Sequence, residues 1–206
     1  MAIAFTPDDA ICKICDDDET LDDSYESTII NAYRDLEDAN IIAFEVKRKN
    51  LSRPYPTLAK KLNFLWCNRV SSVQITFRID DIRNKNICFD EQIGSGTGNG
   101  GGEDNKFMVT CWRKKLKCYF YPQNISTLAE DSESQWFKGY DKRYFKNYGF
   151  TARRIYGLLL SLMVIPYYIF SHYKSISASI SVLKALFYSY WGIMEKRNRN
   201  RRPSTN

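Results

Sequence analysis

Val73-Gln74-Ile75-Thr76-Phe77-Arg78-Ile79 carries an apolar side chain at every second position. Successive side chains of an extended chain point to opposite faces. Val73, Ile75, Phe77 and Ile79 therefore fall on one side, and Gln74, Thr76 and Arg78 on the other. This predicts a strand with one face on a core. Residues 42–46 repeat the pattern, with Ile42, Phe44 and Val46 alternating with Ala43 and Glu45. Further strands are expected over 86–92, 106–112 and 116–121. Arg113-Lys114-Lys115 would join the last two as a hairpin.

Two stretches have helical spacing instead. In 24–39, Ile29, Tyr33 and Leu36 share a stripe, and Asp23 with Glu26 has the form of a capping box. After Pro56, Leu58, Leu62 and Leu65 share a face. The expected fold class is α+β. A mostly antiparallel sheet domain over 24–122, packed with one or two helices, precedes a C-terminal membrane-associated helical hairpin.

Charge is unevenly distributed. Residues 1–40 hold 12 of the 24 acidic residues and only two basic ones, a net of −10, whereas 41–206 carry a net of +16. Asp16-Asp17-Asp18-Glu19 repels itself, so residues 1–23 are expected to form a flexible acidic leader. Residues 1–10 lack a basic region followed by an apolar core, so no secretory signal is expected and the six cysteines read as reduced thiols.

The search for chemistry yields no catalytic, cofactor-binding or metal site. His172 is the single histidine, at the edge of an apolar run and far in sequence from every cysteine of the sheet domain. Cys12-Lys13-Ile14-Cys15 has the spacing of a zinc-gripping pair, but no second pair or nearby histidine completes four ligands. Residues 94–102 form a glycine-rich loop in which Gly96, Gly98 and Gly101 match a dinucleotide fingerprint. That fingerprint needs a helix after it. Here a strand is expected, and Glu103-Asp104 would repel a phosphate.

The strongest functional signal lies near the C-terminus. Residues 155–171 contain no charge and would span about 25 Å as a helix. Ile155, Leu158, Leu159, Leu160, Leu162, Val164, Ile165, Ile169 and Phe170 are the expected membrane-embedded residues, a buried core helix being the alternative. Residues 123–154 form a linker and a juxtamembrane collar. Its aromatic and basic residues, Trp136, Lys138, Tyr140, Lys142, Arg143, Tyr144, Lys146, Tyr148, Arg153 and Arg154, suit anionic lipid or nucleic acid.

Within 155–194, a second helix carries Ile176, Ile180, Leu183, Phe187, Trp191 and Met194 on one face and can either span or lie on the membrane. Basic residues before 155 and in the tail 195–206 favour a hairpin with both ends in the cytosol. The expectation is thus a non-enzymatic integral membrane protein. Its cytosolic domain would bind an unknown protein partner at an anionic lipid surface. Single-stranded RNA binding is the alternative, and no cofactor is implied.

Overall fold

The computed structural model describes residues 6–48, 54–94, 96–129, 137 and 139–195. The chain divides into two compact units: residues 1–88 with 107–133, and residues 89–106 with 134–206. The class is α+β.

The first unit is built on a six-stranded sheet. Its strands are β1 (Ile11–Lys13), β2 (Glu19–Leu21), β3 (Ile41–Arg48), β4 (Lys60–Lys61), β5 (Ile75–Arg78) and β6 (Cys118–Leu128). The order is β1-β5-β3-β6-β2, with β4 also on β6. Four of the five pairings are antiparallel, but the longest, β3 with β6, is parallel. Its register shifts where Tyr121 pairs with Phe44 and Asn124 with Glu45, leaving Pro122 and Gln123 looped out. A proline cannot donate to a ladder and belongs at such a bulge. Strands β1 and β2 lie in the segment expected as a flexible leader.

Both faces of β3 are buried, and two helices explain this. Helix α1 (Tyr25–Asp35) buries Ile29, Ala32 and Tyr33 against Ile42, Phe44, Val46, Val73 and Ile125. The buried Tyr33 hydroxyl shares a 3.1 Å hydrogen bond with Thr76 Oγ1. The expected cap at Asp23 is absent. Ser24 is the N-cap, without a side-chain bond. On the other face Phe77, paired with Ile41, meets Phe107 with ring centroids 5.6 Å apart.

Phe107 belongs to α4 (Glu103–Arg113), where a strand was expected. Phe107 and Cys111 lie four apart on its buried side, Glu103 and Asp104 open its first turn, and Arg113 closes its last. The expected hairpin turn is this helix's C-cap. Lys115 takes φ 65°, and Leu116 N–H donates to the Cys111 carbonyl at 3.1 Å.

Other expectations also change. No regular element occupies 86–92. The strand over 73–79 shortens to β5, because Ile79 opens the short α3 (Ile79–Asn84). After Pro56 the helix is only α2 (Phe64–Cys67), with Leu62 buried but Leu58 and Leu65 exposed.

The second unit contains α5 (Lys142–Tyr156), α6 (Leu158–Ser171), α7 (Tyr173–Ser177) and α8 (Val182–Met194). Phe145, Ala152, Ile165, Ile169, Ile176, Ala185 and Ile193 form its core. Gly157 breaks the apolar run 155–171 at φ 83°, a conformation that side chains with a β-carbon rarely adopt. Among the described residues no helix is long and apolar enough to cross a membrane, so the expected hairpin is not supported. Ile155, Ile165 and Ile169 are buried in the unit and Val164 is half-buried. Leu158, Leu159, Leu160, Leu162 and Phe170 are exposed.

Helices α5 and α8 meet backbone to backbone. A β-carbon on Gly149 would sit 1.8 Å from the Ser189 carbonyl oxygen, and one on Gly192 would sit 2.0 Å from that of Lys146. Neither helix can retreat without opening the core around Phe145 and Ala185. The variant Gly149→Ala is expected to lose about 3 kcal/mol or more of unfolding free energy. Chemical denaturation followed by circular dichroism measures this. An unchanged midpoint would refute the close approach.

Candidate functional site

Strand β1 is antiparallel to β5, which is antiparallel to β3, so β1, β3 and β6 run in one direction. In open, mostly parallel sheets ligands bind beyond the carboxyl ends of the strands, and β3 with β6 is the parallel pairing here. The chain leaves β1 at Lys13, and residues 14–18 carry it from one edge of the sheet to the other, where β2 begins. Asp16, Asp17 and Asp18 lie in that crossing.

Backbone hydrogen bonds hold the crossing in place. Ile14 N–H donates to Ile75 O at 3.1 Å, Glu19 N–H to Asp16 O at 3.3 Å, and Ala129 N–H to Asp18 O at 3.0 Å. Beneath it lies an ion pair between Lys13 Nζ and Glu19 Oε1 at 2.5 Å, with both side chains buried. The same ammonium donates to the carbonyls of Ile14 and Val73 at 3.1 and 3.2 Å. Glu19 Oε2 is buried without a hydrogen-bond partner.

Asp16 and Asp17 are exposed and Asp18 is half-buried. Asp16 is held above the usual carboxylate range, first by partial burial and then by the charges of Asp18, Glu19 and Asp17; a 3.5 Å contact from Ser72 Oγ opposes this. Hard carboxylate oxygens that repel one another suit a hard divalent cation. Among the described residues no three acidic, cysteine or histidine side chains form a ready metal cage. Such a cage is not required by a cation like Mg²⁺, which takes one or two carboxylates and completes its shell with water and substrate phosphates.

The second unit contains a cleft of about 490 Å³ lined by Gly98, Gly100, Asp141, Arg143, Tyr144 and Asn147 among others. The glycine-rich loop thus lines a cavity, and the helix α4 follows it rather than the expected strand.

Most collar residues are engaged in holding this unit together. Arg154 makes two bonds to the Asp90 carboxylate, at 2.6 and 2.8 Å, and a third to Gln92 Oε1 at 2.6 Å. Arg153 donates to Ile193 O at 2.8 Å. Lys146 pairs with Glu195 at 3.0 Å and lies 4.6 Å from the Trp191 ring centre, and Lys142 lies 5.5 Å from the same ring. Tyr140, Tyr144 and Tyr148 pack edge-on and stacked. The Tyr144 and Tyr168 hydroxyls are 2.6 Å apart, and burial pushes both phenols up. Trp136, Lys138 and the basic tail beyond 195 lie outside the described residues.

Cys12 and Cys15 are free thiols, Cys12 half-buried and Cys15 exposed. The aspartate crossing was missed from sequence, where it read as a solvated run. The available signal was its position directly after Ile11-Cys12-Lys13, which is itself a strand.

No family model matches the chain, and no curated protein matches it. Solved structures do. The S. aureus TarS 1–349 structure in complex with UDP-GlcNAc has a TM-score of 0.62 at 12% identity, over 91% of this chain and 57% of that one. The complex of the same TarS fragment with UDP gives 0.59 at 13% identity, over 93% and 58%. A longer TarS structure gives 0.60 at 12% identity, over 93% and 35%. The chain therefore spans little more than half the length of the TarS 1–349 structures. At this identity the likeness shows the fold.

This likeness overturns the expectation of a non-enzymatic integral membrane protein, and the RNA-binding alternative with it. The fold is that of a protein crystallised with a nucleotide sugar, and the apolar run that suggested an anchor is a broken pair of helices.

Two outcomes follow for the crossing. Lys13→Met leaves the buried Glu19 carboxylate without its counter-charge and is expected to cost about 3–5 kcal/mol of stability. The double variant Lys13→Met, Glu19→Leu should recover most of that loss in urea unfolding. For Asp16, a folded-state pKa above the unfolded one means that the charged form disfavours folding. Its cost is full at neutral pH and vanishes as pH falls below the ordinary carboxylate range. Asp16→Asn should therefore melt higher than the parent at pH 7, with the difference closing by about pH 3.

Proposed function

We propose that this chain binds a nucleoside diphosphate sugar and takes part in glycosyl transfer. The observation that carries the proposal is the placement of Asp16-Asp17-Asp18 at the carboxyl end of β1. That strand belongs to a fold shared with structures holding UDP-GlcNAc and UDP.

In glycosyl transfer the bond from the anomeric carbon to the diphosphate oxygen breaks, and its electron pair leaves with the nucleoside diphosphate. The acceptor oxygen bonds to that carbon, and its proton passes to a base. The central difficulty is the charge gathering on the departing diphosphate. The side chains of Asp16 and Asp18 would hold a divalent cation, which when bound offsets that charge. The chain's own contribution is positional. Lys13, Glu19 and the backbone bonds of residues 14–19 hold the segment that carries the three carboxylates. Burial first and then the neighbouring carboxylates raise Asp16, and a cation held among them would relieve the repulsive part.

UDP is expected to raise the melting temperature in the presence of Mg²⁺ or Mn²⁺ and to have little effect in EDTA. Replacing Asp16 and Asp18 together by asparagine should weaken UDP binding at least tenfold in calorimetry, while leaving the metal-free melting point no lower. If the parent chain binds neither UDP nor UDP-GlcNAc with either metal, the proposal fails.

A further inference from the structure

The second unit has an exterior that its own core does not use. On α6, Leu159, Met163, Tyr167 and Phe170 recur at helical spacing and are 78, 71, 77 and 60% exposed. Ser161, Ile165 and Ile169 form the opposite, buried stripe. On α8, Leu183, Phe187, Trp191 and Met194 repeat the pattern, against buried Ala185, Ser189, Gly192 and Ile193. Tyr190 OH donates to Leu162 O at 3.4 Å, so the two helices are packed neighbours. Soluble monomers seldom expose apolar patches beyond a few hundred Å², and larger ones mark interaction surfaces.

Charge selects the occupant. Helices α6, α7 and α8 contain two basic residues and not one Asp or Glu. Lys174 and Lys184 are exposed, and among the described residues neither makes an ion pair. A second copy docking through the same face would set this basic surface against itself, since a twofold interface brings identical patches together. An anionic bilayer complements it. Its headgroups take the lysines and its acyl region takes the leucines, while Tyr167, Tyr173 and Trp191 are the amphipathic rings that favour the boundary.

We infer that α6 and α8 lie in the surface of an anionic bilayer and hold the chain there peripherally. Spanning is excluded for α6 by length: its 14 residues reach about 21 Å, short of the roughly 30 Å core. Its buried stripe also remains committed to the protein.

The full-length chain should co-sediment with phosphatidylglycerol vesicles at least tenfold more strongly than with phosphatidylcholine vesicles, and alkaline carbonate should release it. Two variants test the surface itself. Leu159→Gln with Leu183→Gln should lower vesicle binding at least tenfold at an unchanged melting temperature, because both side chains are already in water. Lys174→Gln with Lys184→Gln should reduce the preference for anionic lipid. Failure to bind phosphatidylglycerol vesicles at low salt would overturn the inference. So would binding that the leucine pair does not affect, or a parent chain that ignores vesicles yet forms a dimer which the leucine pair dissolves. None of these readouts depends on nucleotide binding.

Discussion

Burying Ile41, Ile42, Ala43 and Phe44 on both faces of one strand is the constraint from which the first unit follows. A strand with one wet face needs one covering layer; β3 needs two. Helix α1 supplies one, through Ile29 and Tyr33, and the helix Glu103–Arg113 supplies the other, through Phe107. A doubly covered strand also suits parallel pairing, and β6 runs parallel to β3 along its whole length. The segment leaving β1 starts level with Ile42 and runs to the carboxyl end of β6, where Ala129 N–H donates to Asp18 O. The aspartate crossing owes its position to that chain of requirements.

Some of this was legible in the sequence. The stripe Ile29, Tyr33, Leu36 gave α1, and alternation placed β3 and the middle of β5. The helix Glu103–Arg113 was not legible because Phe107, Val109 and Cys111 satisfy a period of two as well as Phe107 and Cys111 satisfy a spacing of four. The opening Glu103-Asp104 and the closing Arg113 were the deciding signals, but the first read as a barrier to phosphate and the second as part of a hairpin turn. The direction of β6 was out of reach, because alternation states that a strand exists and not which neighbour it takes. The break at Gly157 was hidden by composition. One glycine in an apolar run counts for little in a sum, yet its positive φ ends one helix and starts another.

The candidate site was harder to see for a related reason. Four consecutive acidic residues look like solvent-exposed chain, since charge of one sign resists burial. Here the charge is not buried; it is held at the surface by what lies beneath it. Glu19, the last residue of the run, turns inward onto Lys13, while Asp16 and Asp17 remain exposed and Asp18 half-buried. The collar shows the converse. Arg153, Arg154 and Lys146 looked like residues presented to a ligand, but their hydrogen bonds fasten the second unit's helices and loop. A charged residue's role was set by the neighbours that folding brought to it, which spacing along the chain does not report.

The glycine contacts between α5 and α8 have a wider consequence. Two helices that touch through bare backbone need few interlocking side chains at their crossing. Rigidity there comes from the peptide planes, whose freedom was already lost when the helices formed. Large side chains are thereby released from interior duty, and a small helical unit can turn an unusual share of its bulk outward. The tight seam at Gly149 and Gly192 is what leaves Trp191 and Phe187 available for an exterior.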